Sequence, residues 1–386
     1  MKAKNVYKAL FILLLVIPCG ACRNKGGADQ VSLEELSFGD YRIYEPGCTA
    51  EVVREIKDLR DRPVYHIDMT IGDSFEKVDG KAAVRFVNRK DTNISSVDFL
   101  LFANNTDGKM EIGSVTAESS ILEYEYLGSG GIMRVYLPDS LPPGDESILH
   151  IAYTLAIPEK KTIGYGSLYA EENTISLGYA YPMLPSIGHE PAEIPALYGD
   201  HVYSDASFYC VQISAPKSAQ VFAAGYQAAE RVEEDRQIVL YAAGPARDFY
   251  AGCRINGEYV SRSAGRIMLR SCASRENREG SLRVLDYAEK SLNLFSRYFG
   301  EYPYQYLTCT ALPLTAYGLE FPGIIINAES MYSTGGYIRG VPTEVLLEST
   351  TVHEIAHQWF YNLSGNDQRI EPWIDEGLAQ YSTWLY

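Results

Sequence analysis

Positive charge is scarce in this sequence. Lys and Arg total 34 against 50 Asp and Glu, so the 386-residue chain carries a formal charge of −16. Such a surface repels a phosphate backbone, and no nucleic-acid partner is expected. Histidine is rarer still, at six residues, so any clustering of it matters. Beyond the first 22 residues no Cys-x-x-Cys pair occurs, which argues against a cysteine zinc site or a redox motif. After residue 18 no apolar run is long enough to span a membrane. Internal repeats and long low-complexity tracts are absent too. What is left is an ordinary globular composition, 46% hydrophobic and 22% charged, with length for two or three domains of roughly 150 residues each.

The N-terminus is patterned for export. Lys2, Lys4 and Lys8 precede an apolar run over residues 9–18. At about 1.5 Å per residue that run cannot cross a bilayer core of about 30 Å, so it reads as a signal rather than a span. Cys19-Gly20-Ala21-Cys22 resembles a bacterial lipobox, with cleavage before Cys22 and lipid on its sulfur. Residues 1–21 are therefore expected to be a signal peptide. The mature chain is expected at the cell surface, anchored to the membrane through Cys22. Residues 22–62 read as a polar tether and a short helix, with Val52, Val53, Ile56 and Leu59 on one face. Five cysteines remain: Cys48, Cys210, Cys253, Cys272 and Cys309. An odd number leaves at least one thiol free.

From about residue 63 the hydrophobic period becomes two. Tyr65 to Ile71, Ala83 to Val87 and Ile148 to Tyr153 alternate, and Pro142-Pro143-Gly144-Asp145 is one of several turn signals between such runs. Residues 63–250 thus read as an all-β domain. Past 250 the pattern changes. Leu282, Leu285, Ala288, Leu292, Phe295 and Phe299 predict a helix over 278–299, with Gly300 to end it. Strands are expected at 308–312 and 323–326, and a second helix over 343–361. Residues 251–386 form the second domain of an α+β chain.

That second helix contains His353-Glu354-Ile355-Ala356-His357. Histidines four apart lie on one helix face, so their imidazoles can converge on one metal ion. Zinc suits imidazole nitrogen, and a catalytic site leaves one position open to water. Glu354 is then placed to take a proton from that water. A third ligand is needed. Eighteen residues after His357 comes Glu376, in Trp373-Ile374-Asp375-Glu376-Gly377-Leu378-Ala379, with a polar turn at 362–371 that lets the chain fold back. Alone, Glu376 is one of many acidic residues; its spacing from the histidines singles it out.

His-Glu-x-x-His followed by Glu at this spacing resembles the aminopeptidase N family of gluzincin metallopeptidases. Trp-x-x-Glu-Gly-x-Ala around Glu376 matches that family's pattern. Tyr317-Gly318-Leu319-Glu320-Phe321 aligns with its Gly-x-Met-Glu-Asn motif, with Leu319 for Met and Phe321 for Asn. Arg247-Asp248-Phe249 and Tyr181-Pro182 look like family features as well. The resemblance implies a β saddle followed by a thermolysin-like zinc domain. It implies one zinc per chain on His353, His357 and Glu376, with Glu354 as general base. Glu320 would bind the free amino group of a peptide substrate. It also implies a carbonyl-polarising tyrosine further along than Tyr386, so a truncated catalytic domain is expected; Tyr381 reads as a packing residue and a poor substitute, and robust turnover would point to Tyr317, Tyr381 or another group of the chain in that role. Three readings follow from the residues: a zinc aminopeptidase, a zinc endopeptidase if Glu320 does not cap the cleft, and a non-catalytic peptide-binding surface lipoprotein.

Overall fold

A computed structural model of the chain describes residues 31–159, 164–171, 173–186 and 203–386. The export segment and Cys22 lie outside the described residues.

Alternation builds the first part. In Lys77–Val87 every second side chain is buried, including Val78, Ala82, Val84 and Phe86. One pleated face therefore packs inward while the other stays wet. This strand is central in an eight-stranded sheet. It pairs antiparallel with Val64–Ile71 on one side and Glu146–Ala156 on the other. Val64–Ile71 in turn runs parallel to Ser207–Pro216, with Val64 opposite Phe208. A three-stranded and a four-stranded sheet complete the β region. Their shared core runs from Ile67 and Phe99 through Tyr181 to Phe249. It also takes in Leu319, Phe321 and Ile326 from the second part of the chain. The two parts thus share buried apolar side chains, and polar contacts cross between them as well, among them Arg247 to the Tyr361 carbonyl and Arg254 to Glu329.

The second part is built on a five-stranded mixed sheet. Tyr306–Leu312 lies at its centre, parallel to both Ile267–Ser274 and Ile324–Ala328, and Gly318–Leu319 closes one edge. Helix α2 (Arg278–Phe299) turns Val284, Leu285, Ala288, Leu292 and Phe295 toward this sheet. Helix α3 (Thr343–Ala356) shares that core through Leu347, Val352 and Ile355.

The structure differs from the sequence reading in four places. The expected short helix forms within residues 50–59, but residues 33–62 as a whole are docked rather than a polar tether. They run as short helical turns, including α1 (Ala50–Glu55), laid on the large sheet. Tyr41, Tyr44 and Ile56 are buried there with Val64 and Phe208, so the segment has an apolar face to hide. Strand structure also continues past 250, through Tyr250–Ile255 and Gly257–Ala264 to Ser274. The sheets change near residue 256, because Tyr250–Ile255 pairs within the β region and Gly257–Ala264 pairs with Ile267–Ser274. Helix α3 stops at Ala356 rather than 361: the chain tightens into turns in which Gln358 N–H and Trp359 N–H donate to the Ile355 and Ala356 carbonyls, and it leaves helical geometry altogether at Tyr361, φ 143°. In the sequence Ile374, Leu378, Tyr381 and Leu385 fall at helical spacing and read as an apolar face, yet helix α4 (Trp373–Leu385) buries Asp375, Ala379 and Ser382 and leaves Leu378 and Tyr381 exposed. All five cysteines among the described residues are buried free thiols.

Candidate metal centre and its cleft

Helix α3 carries His353 and Glu354, and His357 caps its C-terminus. Asn366 and Gln368, in the turn that follows, fix the entry to α4. Asn366 Nδ2 and Gln368 Nε2 donate to the two carboxylate oxygens of the buried Asp375, at 2.9 and 2.5 Å. With Asp375 held inward, the adjacent Glu376 meets the histidines.

The three expected ligands converge. His353 Nε2 lies 3.1 Å from Glu376 Oε2 and 3.2 Å from His357 Nε2. His357 Nε2 lies 4.0 Å from Glu376 Oε2. A tetrahedral ion with bonds of about 2.0–2.1 Å needs donors about 3.3 Å apart. The set thus forms one face of a tetrahedron, slightly open at the His357–Glu376 edge. The imidazole tautomer suits a metal as well. His357 Nδ1–H donates to the Phe360 carbonyl at 2.9 Å, which leaves the lone pair on Nε2, toward the other donors. A second grouping, Glu320–His357–Asp375, also has its atoms within 4.8 Å. There, however, Asp375 is already spent on Asn366 and Gln368, so we assign the ligand role to the first set.

Electrostatics bind the donors to one another. Burial disfavours charge on His353, but the Glu376 hydrogen bond and the nearby carboxylates of Glu354, Glu376 and Asp375 outweigh it, and its pKa is raised. Burial, helped by His353, pushes His357 down. The bond from His353 holds the Glu376 carboxyl below its usual range despite burial. The arrangement favours a carboxylate beside imidazoles, the charge balance a divalent cation would join.

A cleft of about 510 Å³ opens beside the donors. His353, Glu354 and Glu376 line it together with Glu320, Tyr317 and Tyr165. Glu320 follows the edge strand Gly318–Leu319, so the expected amine-binding carboxylate and general base share one cavity with two of the three ligands. Tyr317 is on this cleft; Tyr381 is not, and stacks on Trp384 instead. A more enclosed cavity of about 210 Å³ lies in the β region, but its Arg89 and Arg134 are paired with Asp205 and Asp98.

Three residues of the site were not singled out from sequence. Gly318 packs against Glu354: a Cβ there would lie 2.1 Å from Glu354 Oε1. Tyr165 reaches the cleft from the β region with φ 58°, in a turn that no periodicity reveals. Gln358, next to a ligand, is fully buried and bonds to the loop after Glu320.

Residues 283–386 match the peptidase family M1 domain. Aminopeptidase 2 of Candida albicans is 20% identical over 86% of this chain and 35% of its own length. Aminopeptidase M1-B of Oryza sativa subsp. japonica is 34% identical over 26% of this chain and 12% of its own. The chain thus spans about a third or less of the curated relatives it matches. Among solved structures, an M1 zinc metallopeptidase from Deinococcus radiodurans superposes with a TM-score of 0.62 at 16% identity, covering 84% of this chain and 70% of that one. That likeness establishes the shared fold: an N-terminal β region followed by the metal-site domain.

Proposed function

We propose that the protein is a zinc-dependent aminopeptidase that removes N-terminal residues from peptides. One observation carries this reading: the His353, His357 and Glu376 donors sit 3.1–4.0 Å apart, and His353 and Glu376 line a cleft that also holds Glu354 and Glu320. Zinc at these donors would supply Lewis acidity and bring the pKa of bound water to about 7. The other work falls to the chain's own groups. Glu354, only 5% exposed, accepts a proton from the attacking water and returns it to the leaving amine. Its burial keeps the carboxylate away from bulk water that would compete for that proton. Glu320 pairs with the substrate α-ammonium and so sets the register of cleavage at the first peptide bond. The match of residues 283–386 to the peptidase family M1 domain and the similarity to aminopeptidases support the same activity.

Hydrolysis of a dipeptide with a free amine, compared with its N-acetyl form, tests the reading on the zinc-loaded chain. A charge-assisted pair with Glu320 contributes about 1.5–3 kcal/mol, so the free amine should be favoured roughly ten- to a hundredfold. Glu320→Ala should remove the preference. Equal cleavage of both forms by the unmutated chain would refute it. We further propose that the mature chain is held at the cell surface by lipid on Cys22, on the strength of the lipobox-like residues before it.

A further inference from the structure

Gln358 follows the ligand His357 but turns away from the metal donors. Its side chain is 0% exposed and both ends of its amide are used. Nε2–H donates to the Phe321 carbonyl at 3.0 Å, and Oε1 accepts from the Gly323 N–H at 2.8 Å. These two backbone groups belong to one tight turn. The Ile324 N–H donates to the Phe321 carbonyl at 3.1 Å, Pro322 occupies the second position, and Gly323 the third at φ 74°. Such a turn needs glycine at its third position, where other residues would be strained. The turn starts one residue after Glu320. It is also held from the other side, because the Phe321 ring is 3% exposed and packs on Tyr179 and Tyr250. Glu320 therefore stands beside a turn clamped between the β-region core and the end of the metal helix.

From this geometry we infer that Gln358 is the positioning residue that fixes Glu320 relative to the metal ligands, and thereby makes the site count from a free N-terminus. The inference rests on the proposed aminopeptidase reading. His357 and Gln358 are adjacent in the chain, so a displacement of the metal helix is passed to the Glu320 loop through two hydrogen bonds. An aliphatic residue at 358 would leave the Phe321 carbonyl with its turn bond alone and the Gly323 N–H with no acceptor. A buried polar group without a partner is driven to shift toward one. The shift moves Glu320 and leaves His353, His357 and Glu376 in place.

The test uses the zinc-loaded chain with Glu354→Gln, so that bound peptides are not consumed. Calorimetry gives Kd for Leu-Phe and for N-acetyl-Leu-Phe, with and without Gln358→Met. Zinc content is measured on every variant. The expected result is an unchanged zinc content and a free-amine preference reduced at least tenfold by Gln358→Met, through weaker Leu-Phe binding alone. Gln358→Glu keeps the acceptor for Gly323 N–H, so it should retain more of the preference; it also serves where the methionine variant fails to fold. A preference intact in both variants overturns the positioning role and leaves the Glu320 reading standing. A chain with no free-amine preference before position 358 is changed overturns both. A variant that loses zinc along with the preference also overturns it, because Gln358 would then be supporting the ligands themselves.

Discussion

Gly318→Ala isolates Glu354, the proposed general base, from the metal ligands. The added methyl would sit 2.1 Å from Glu354 Oε1 and 2.4 Å from its carboxyl carbon, whereas ordinary contact begins near 3.4 Å. The carboxylate is a side-chain end and can retreat, so the fold should survive. It must nevertheless move by roughly 1 Å, and a misplacement of that size costs on the order of 10²-fold in rate. The ligands sit on other residues and should be untouched. The assay is kcat for a free-amine dipeptide, as a ratio to the unmutated chain, with zinc content measured on the same samples. The expected outcome is a roughly hundredfold lower kcat, a KM within a few fold and about one zinc per chain. A kcat within threefold of the unmutated chain would show that Glu354 does not act from its observed position, and the proton-transfer role would fall.

Two further expectations address stability and location. Asp248 is fully buried and accepts the Tyr361 hydroxyl, and burial pushes its carboxyl up to about 7 from the usual 3.8. Its contribution is fully present below about pH 4 and is lost as pH rises through 7, on the order of 4 kcal/mol in all; Asp248→Asn should flatten this slope in urea unfolding of the chelator-treated chain at pH 5 and pH 8, and an equal slope in both proteins would contradict the assignment. Cys22→Ser should move the protein from the membrane fraction to the soluble fraction or leave it unprocessed, whereas unmutated protein recovered without lipid would remove the anchor.

How much of this could be read from the sequence follows from which physics is local. His353, Glu354 and His357 were legible because a helix fixes their spacing, and α3 began where expected though it ended five residues sooner. Helix α2 was legible to the residue, since its buried face recurs at the helical period. Glu376 needed the intervening turn to close, and the Asn366 and Gln368 bonds to Asp375 that close it are contacts no periodicity encodes. The docked segment at 33–62 was hidden because its aromatic residues, Tyr41 and Tyr44, are spaced irregularly. Phe321 stood out only as a departure from a motif; its purpose emerged from the aromatic pocket of Tyr179 and Tyr250, far away in the chain. The face of α4 was misread because Asp375, a charged residue, takes the interior position through paired amides rather than through hydrophobicity.

The central claim is that three named donors hold a catalytic zinc and that Glu354 beside them does not. Zinc per chain, measured after exhaustive dialysis of the unmutated protein, Glu354→Gln, His357→Ala and Glu376→Ala, tests it most directly. The account predicts about one zinc in the first two and a small fraction of that in the last two. Full zinc in His357→Ala, or its loss in Glu354→Gln, would contradict the assignment of the site.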